Sequence, residues 1–304
     1  MNNAIELAGV TKRFAKQVAV DNLDLNVPVG SIYGFIGPNG SGKTTTLRMI
    51  LRIFQPDSGS VTVLGERHGK TADDRLGYLP EERGLYKRMR VGSLLTYYAR
   101  LKGNYDCQKH LQEWLTRLEA SDWVNKRIDT LSKGMAQKVQ FIAAVAGNPQ
   151  LVILDEPFTG LDPVNMEALR EAVKLLRERG NTVIFSTHDM EMAEKLCDTI
   201  FMIHKGHKVL DGTIDTIQAH YPANRVRVRF ADPDLQVPEI RQVTAVETQG
   251  REFQLIVEDH SQSGIVLEQL SRHGELHRFE VIKPSLHDIF IEIAKPAAEE
   301  MAAT

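Results

Sequence analysis

The chain has 304 residues, 42% of them apolar, and a formal net charge of −3, enough for two packed domains and contrary to broad attraction to nucleic acid. No apolar run reaches the roughly twenty residues needed to cross a bilayer, so the chain is not expected to form a transmembrane path by itself. Cys107 and Cys197 are too few and too poorly patterned for a disulfide or zinc framework, and both are expected to be reduced.

The opening Met1-Asn2-Asn3-Ala4-Ile5-Glu6 lacks the basic and apolar regions of a signal peptide, so export is not expected. The first strongly patterned element is Ile32-Tyr33-Gly34-Phe35-Ile36, an apolar run suited to a buried strand. It leads into Gly37-Pro38-Asn39-Gly40-Ser41-Gly42-Lys43-Thr44, a complete G-x-x-x-x-G-K-[ST] phosphate loop, and then into the helix-compatible stretch 45–53. Glycines let successive backbone N–H groups turn inward around phosphate oxygens, at a helix N-terminus that favours an anion. Lys43 then reaches the β- and γ-phosphates, and the Thr44 hydroxyl suits Mg²⁺.

From Thr45 to Leu131 the spacing is too long for a simple strand–helix–strand connection, which indicates an inserted subdomain over about 82–145. Within it Val91, Leu94, Leu95, Tyr98 and Leu101 fall on a helical period, as do Leu111, Trp114, Leu115 and Leu118. Next come Leu131-Ser132-Lys133-Gly134-Met135 and the apolar strand that ends in Asp155-Glu156. Asp155 suits Mg²⁺ through its hydration shell, and Glu156 is placed to polarise an attacking water. Thr159-Gly160-Leu161-Asp162 follows, and after a strand at 182–185 comes Ser186-Thr187-His188-Asp189. Phosphate loop, following helix and acidic strand end together indicate a nucleoside-triphosphate hydrolase.

These ordered motifs resemble those of the ATP-binding cassette (ABC) ATPases over about residues 4–220. The resemblance implies an α/β fold, a P-loop NTPase cassette with an inserted helical subdomain. It implies ATP as the nucleotide and Mg²⁺ beside it, with Gly37, Pro38, Asn39, Gly40, Ser41, Gly42, Lys43, Thr44 and Thr45 around the phosphates. Phe14 would stack on adenine with Val20 in support. Ser132 and the N–H of Gly134 would meet the γ-phosphate bound by an opposite cassette, Asp162 would lie at the shared interface, and His188 would sense the γ-phosphate. Lys43, Glu156 and His188 would be the catalytic group, and Thr44, Asp155 and Glu81 the metal group.

Some positions depart from the family pattern. Glu81 stands where the family usually has glutamine; a carboxylate can still ligate Mg²⁺ or accept from water, but it adds a negative charge, so Glu81 is read as a metal or sensor residue. Lys133 and Met135 replace family residues of the signature, and Lys133 is either a surface charge or an added phosphate or interface contact. In the family the helical insert and the segment after Glu81 receive a short helix of the permease, and Gly84-Leu85-Tyr86 and Met89 lie near that expected contact.

After Asp211-Gly212-Thr213 the character changes, and Tyr221-Pro222-Ala223-Asn224 reads as a linker from a cassette at 1–220 to a small α+β domain at 221–304. Arg225, Arg227 and Arg229 would share a strand face, read as a solvated edge rather than a phosphate, lipid or nucleic-acid site. Phe253 to Val257 suits a strand, and Gly264 to His273 a short helix. Ser285-Leu286-His287-Asp288 is a capping-box-like start for a helix with Leu286, Ile289, Phe290 and Ile293 on one face. That region resembles the accessory C-terminal domain of ABC ATPases that serve small multi-span exporters. The tail 294–304 is expected to be mobile.

The resemblance thus implies an ATPase on the cytoplasmic face of the cell membrane that powers a separate integral-membrane permease, an exporter, by ATP-driven pairing with a second identical or related cassette. No nucleic-acid partner is expected. The alternative is a soluble ABC ATPase acting on a non-transport machine, such as a translation or DNA-repair factor; a further reading makes Glu81 the mark of a regulatory cassette that hydrolyses ATP poorly.

Overall fold

The computed structural model describes residues 3–15, 17–67, 73–82, 84–221 and 224–294. Met1 and Asn2, the linker residues Pro222 and Ala223, and the tail from 295 onward lie outside them. The chain divides into two compact units, Met1–Thr213 and Ile214–Thr304, so the division falls ahead of the expected boundary at 220.

In chain order the first unit contains β1 (Asn3–Phe14), β2 (Gln17–Pro28), β3 (Ile32–Ile36), α1 (Lys43–Ile50), β4 (Ser58–Val63), β5 (Leu76–Leu79), α2 (Val91–Leu101), α3 (Gln108–Arg117), α4 (Lys133–Val145), β6 (Leu151–Asp155), α5 (Pro163–Glu178), β7 (Thr182–Thr187), α6 (Met190–Leu196), β8 (Thr199–His204) and β9 (His207–Gly212). Its main sheet runs β5-β6-β7-β3-β8-β9, with β5 to β8 parallel and β9 antiparallel at the edge. β3, β6 and β7 are buried at every residue, as strands covered on both faces must be.

Strand alternation divides the interior into two cores. Tyr33, Phe35, Leu151, Ile153 and Ile184 pack with α1 and the antiparallel sheet β2-β1-β4, while Val152, Leu154, Val183 and Phe185 pack with the helices around Trp114 and Phe141. In the helical insert Val91, Leu94, Leu95, Trp114 and Leu118 are buried as their period predicts, but Leu101, the last residue of α2, is 59% exposed. Gly34 leaves room for α6: the Cys197 sulfur lies 2.5 Å from where a Cβ at Gly34 would stand.

The second unit contains α7 (Ile214–Ala219), β10 (Arg225–Phe230), β11 (Val243–Gln249), β12 (Glu252–Val257), α8 (Ser263–His273), β13 (Leu276–Ile282) and α9 (Leu286–Ala294). Its antiparallel sheet runs β11-β12-β10-β13, and Val226, Val228, Phe253 and Leu255 pack with Val266 and Leu270 of α8. β10 is therefore an interior strand, which corrects the reading of its arginines as an edge device. Arg225 pairs with Asp288 at 3.0 Å and Arg227 with Glu252 at 3.8 Å. The start of α9 is a reciprocal cap: Ser285 N–H donates to Asp288 Oδ2 at 2.9 Å, and Asp288 N–H donates to Ser285 Oγ at 3.1 Å.

Candidate functional site

β6, β7 and β3 are neighbours, so their carboxyl ends lie side by side; Ile36 is level with Thr187, and Asp155 with Ser186. Parallel sheets bind ligands outside such ends. Beside them opens a pocket of about 430 Å³ lined by Phe14, Gln17, Ala19, Asn39, Gly40, Ser41, Gly42, Lys43, Thr44, Thr45, Glu81 and Glu156.

The phosphate loop is shaped by backbone that other residues resist. Gly42 caps α1 at φ 113°, and a Cβ there would stand 2.6 Å from the Ala19 carbonyl oxygen. Lys43 begins α1, and its Nζ donates to the carbonyls of Gly37 at 2.6 Å and Pro38 at 3.2 Å. Burial pulls the Lys43 ammonium below the usual lysine range, while Glu156, Asp155 and Glu81 pull the other way. Gly37 and Pro38 thus serve the pocket from behind, through Lys43.

The acidic end of β6 is a tied cluster. Ser186 Oγ donates to Asp155 Oδ1 at 2.5 Å and accepts from the Glu156 N–H at 3.0 Å. Glu156 sits at φ +50°, a left-handed conformation uncommon outside glycine, and its side chain is held from two sides. Thr159 Oγ1 donates to Oε2 at 3.0 Å, and His188 Nδ1 lies 3.0 Å from Oε1. The same Oε1 is 3.9 Å from Lys43 Nζ. His188 reaches the pocket through this contact, with its own side chain 54% exposed. Burial, assisted by the Glu156 charge, holds the Asp155 carboxyl above its usual range, against hydrogen bonds from Ser186 and Thr44.

Among the described residues, Asp155 Oδ2 and Ser41 Oγ are buried with no hydrogen-bond partner. A buried carboxylate oxygen left open beside the Thr44 hydroxyl, with Glu81 on the same pocket wall, is an all-oxygen donor set that fits a hard divalent cation.

Ser132, Gly134 and Asp162 do not line this pocket; they form a second group. Ser132 caps α4 and accepts from the Met135 N–H at 3.3 Å, and Asp162 caps α5 and accepts from the N–H groups of Val164 and Asn165. Asn165 joins the two, because its amide donates to Asp162 Oδ2 and would stand 2.7 Å from a Cβ at Gly134. Lys133 lies across Gly160, where a side chain would collide with its ammonium.

Val20 is fully buried in the core, beneath the loop at Gly42, so it does not stand on the pocket wall beside Phe14. Gln17 and Ala19 occupy that wall; neither carries a motif, and only the β1–β2 hairpin brings them there. A separate apolar cavity of about 340 Å³ is lined by Leu51, Ile53, Leu76, Tyr78, Pro80, Gly84, Leu85, Tyr98 and Ala143, among others.

The sequence profile of the ABC transporter family matches residues 20–159, and that of the C-terminal domain of DrrA1-3-like ATP-binding proteins matches residues 212–294. An uncharacterized ABC transporter ATP-binding protein, YhaQ of Bacillus subtilis, is 43% identical over 288 residues, covering 93% of this chain and 96% of the relative. Nod factor export ATP-binding protein I of a Rhizobium species is 34% identical over 301 residues, covering 95% of this chain and 96% of the relative. A solved ATP-binding subunit of an ABC transporter superposes with a TM-score of 0.67 at 29% identity, covering 72% of this chain and 93% of that one. The chain belongs to the ABC transporter ATP-binding proteins; it has their P-loop α/β cassette, binds ATP, and is the ATP-hydrolysing subunit of a transporter.

Proposed function

We propose that two cassettes, this chain with a second copy or a close relative, close face to face around two Mg²⁺-bound ATP molecules and so drive a membrane permease that exports its substrate. The observation that carries the reading is the Glu156 cluster: a buried carboxylate 3.0 Å from His188 and 3.9 Å from Lys43, on the wall of the phosphate-loop pocket. In it Glu156 polarises the attacking water, His188 orients Glu156 and senses the γ-phosphate, and Lys43 neutralises phosphate charge. The loop residues from Asn39 to Thr45 hold the phosphates, with Gly37 and Pro38 acting through Lys43, and Phe14 holds the base. Thr44, Asp155 and Glu81 would hold Mg²⁺, which supplies charge neutralisation on the phosphates when bound.

The separate group of Ser132, Gly134 and Asp162 supports the two-cassette arrangement, since a residue set that cannot reach its own pocket is free to meet the γ-phosphate of another. The apolar cavity around Leu85 and Tyr98 suits a short permease helix, which would station the chain on the cytoplasmic face of the membrane, and no nucleic-acid role is proposed. Export is supported by the name of the Nod factor export relative and by the DrrA1-3-like C-terminal match. The division of labour between a 1–213 cassette and an accessory 214–304 unit follows the two compact units.

Two measurements test this. Extraction of the tagged chain from its native membranes in mild detergent is expected to bring down one integral-membrane protein in stoichiometric amount; recovery without any favours the soluble alternative. With Glu156→Gln and ATP, light scattering is expected to give a dimer that Ser132→Arg abolishes while nucleotide binding persists. A dimer that survives Ser132→Arg overturns the face-to-face arrangement.

A further inference from the structure

Phe14 ends β1 at the tip of a hairpin, paired with Gln17 across a turn in which Ala15 takes φ +49°. Phe14 is 42% exposed and is not part of the core of the unit. A ring in that position turns freely unless something outside the hairpin fixes its plane, and a base stacks well only on a plane that is already fixed. The loop that leaves α1 supplies the fixing contacts. Phe54, half-buried against the core, meets the Phe14 ring edge-to-face at 5.4 Å and 68°. Lys12 lies over Phe14 at 5.6 Å from the ring centroid, and Arg48 of α1 lies over Phe54 at 5.7 Å.

The same loop grips the backbone of the strand. Asp57 accepts from Lys12 Nζ at 2.9 Å and from the Arg13 N–H at 2.6 Å, and its own N–H donates to the Thr11 carbonyl at 2.8 Å. The Lys12 hydrogen bond, with that from Arg13, holds the Asp57 carboxyl below its usual range. Phe54 is in turn folded back on the helix, its N–H donating to the Arg48 carbonyl at 3.1 Å. Helix α1 therefore starts at Lys43 on the phosphate loop and continues, within a few residues, into the segment that braces the aromatic platform.

We propose that Phe54 and Asp57 are positioning residues for the nucleobase: they fix the Phe14 ring, and through α1 they set its distance from the phosphate loop. With Lys12 over one face and Phe54 against an edge, the other face of Phe14 is left for a purine. The inference rests on the reading of Phe14 as the base platform.

The test compares binding of ATP with binding of inorganic tripolyphosphate, which lacks base and ribose, by calorimetry on the full chain with Mg²⁺. Phe54→Ala is expected to weaken ATP binding about 2- to 10-fold and raise KM with little change in kcat, leaving tripolyphosphate affinity unchanged. Asp57→Ala should show the same selective loss, and Phe54→Tyr, which keeps the ring, should behave as the unmodified chain. Phe14→Ala separates the two ideas. If it binds ATP normally, the platform reading itself falls. If it weakens ATP binding while Phe54→Ala does not, the role of Phe54 alone is overturned. Parallel loss of ATP and tripolyphosphate in Phe54→Ala overturns it as well, since that pattern means damage to the phosphate loop.

Discussion

Behind the phosphate loop three ionisable groups are enclosed, Asp155 at 1% exposed, Lys43 at 6% and Glu156 at 9%: Asp155 and Glu156 share Ser186, Thr159 and His188 hold the Glu156 carboxylate, and Lys43 is tied to the Gly37 and Pro38 carbonyls. Ser132 and Asp162, by contrast, stand exposed at two helix N-termini beside Gly134, held by short capping bonds. The first group is organised before any ligand arrives, which is where electrostatic catalysis gains most, because nothing must reorient when charge develops. The second is an open surface whose geometry is set by two helix caps and one asparagine bridge, suited to completion by another molecule.

The largest effect that would sharpen this contrast is at Glu156. Glu156→Gln is expected to lower kcat about 10²- to 10⁴-fold with ATP affinity close to that of the unmodified chain, measured by phosphate release and by calorimetry. Normal turnover would take Glu156 out of the reaction. Next is Lys43→Ala, which on the proposed reading would remove charge-assisted hydrogen bonds to phosphate and should weaken ATP binding about 10- to 100-fold. Retained affinity there would mean that the loop backbone alone carries binding.

A third prediction concerns what an enclosed charge costs. Asp155 has its folded pKa raised, so its ionised form opposes folding above that pKa, and the cost vanishes as pH falls below the unfolded value. Asp155→Asn should therefore melt at a higher temperature than the unmodified chain at neutral pH, and the difference should close in acid. No gain at neutral pH would show that Ser186 and Thr44 already compensate the burial. The smallest effect is at Asp288, a helix-capping carboxylate outside the nucleotide machinery. Asp288→Ala should destabilise the second unit by about 1 kcal/mol in a thermal melt and leave ATP hydrolysis unchanged, whereas Asp162→Ala, at a cap in the exposed group, should reduce turnover.

Legibility in the sequence followed contiguity. The loop Gly37–Thr44 and the strand end at Asp155-Glu156 are written in adjacent residues, because backbone conformation and strand burial act locally; their helices and strands lie where the pattern places them. Gln17 and Ala19 come from a hairpin and Phe54 from a post-helix loop, all of ordinary composition, so only tertiary structure sets the first two on the pocket wall and the third against Phe14. Val20, which the family resemblance sets in support of Phe14, is turned inward by strand alternation. In the second unit β13 has no buried position, and its mixed sequence, Leu276-His277-Arg278-Phe279-Glu280-Val281-Ile282, lacks the alternation that announces a strand; β11 is equally polar. Without those two strands β10 looks like an edge, and its arginines look solvated.

The sulfur packed against Gly34 has a practical corollary. Cys197 is wedged at α6 with its thiol pushed well above the usual range by burial, and Cys107 is 1% exposed. Thiol-specific probes added at neutral pH should therefore ignore the native chain. A single cysteine introduced at Val164, which is 73% exposed next to Asp162, would carry a spin label or fluorophore without prior removal of either natural thiol. If two cassettes pair as proposed, distances between two such labels would follow their opening and closing during turnover.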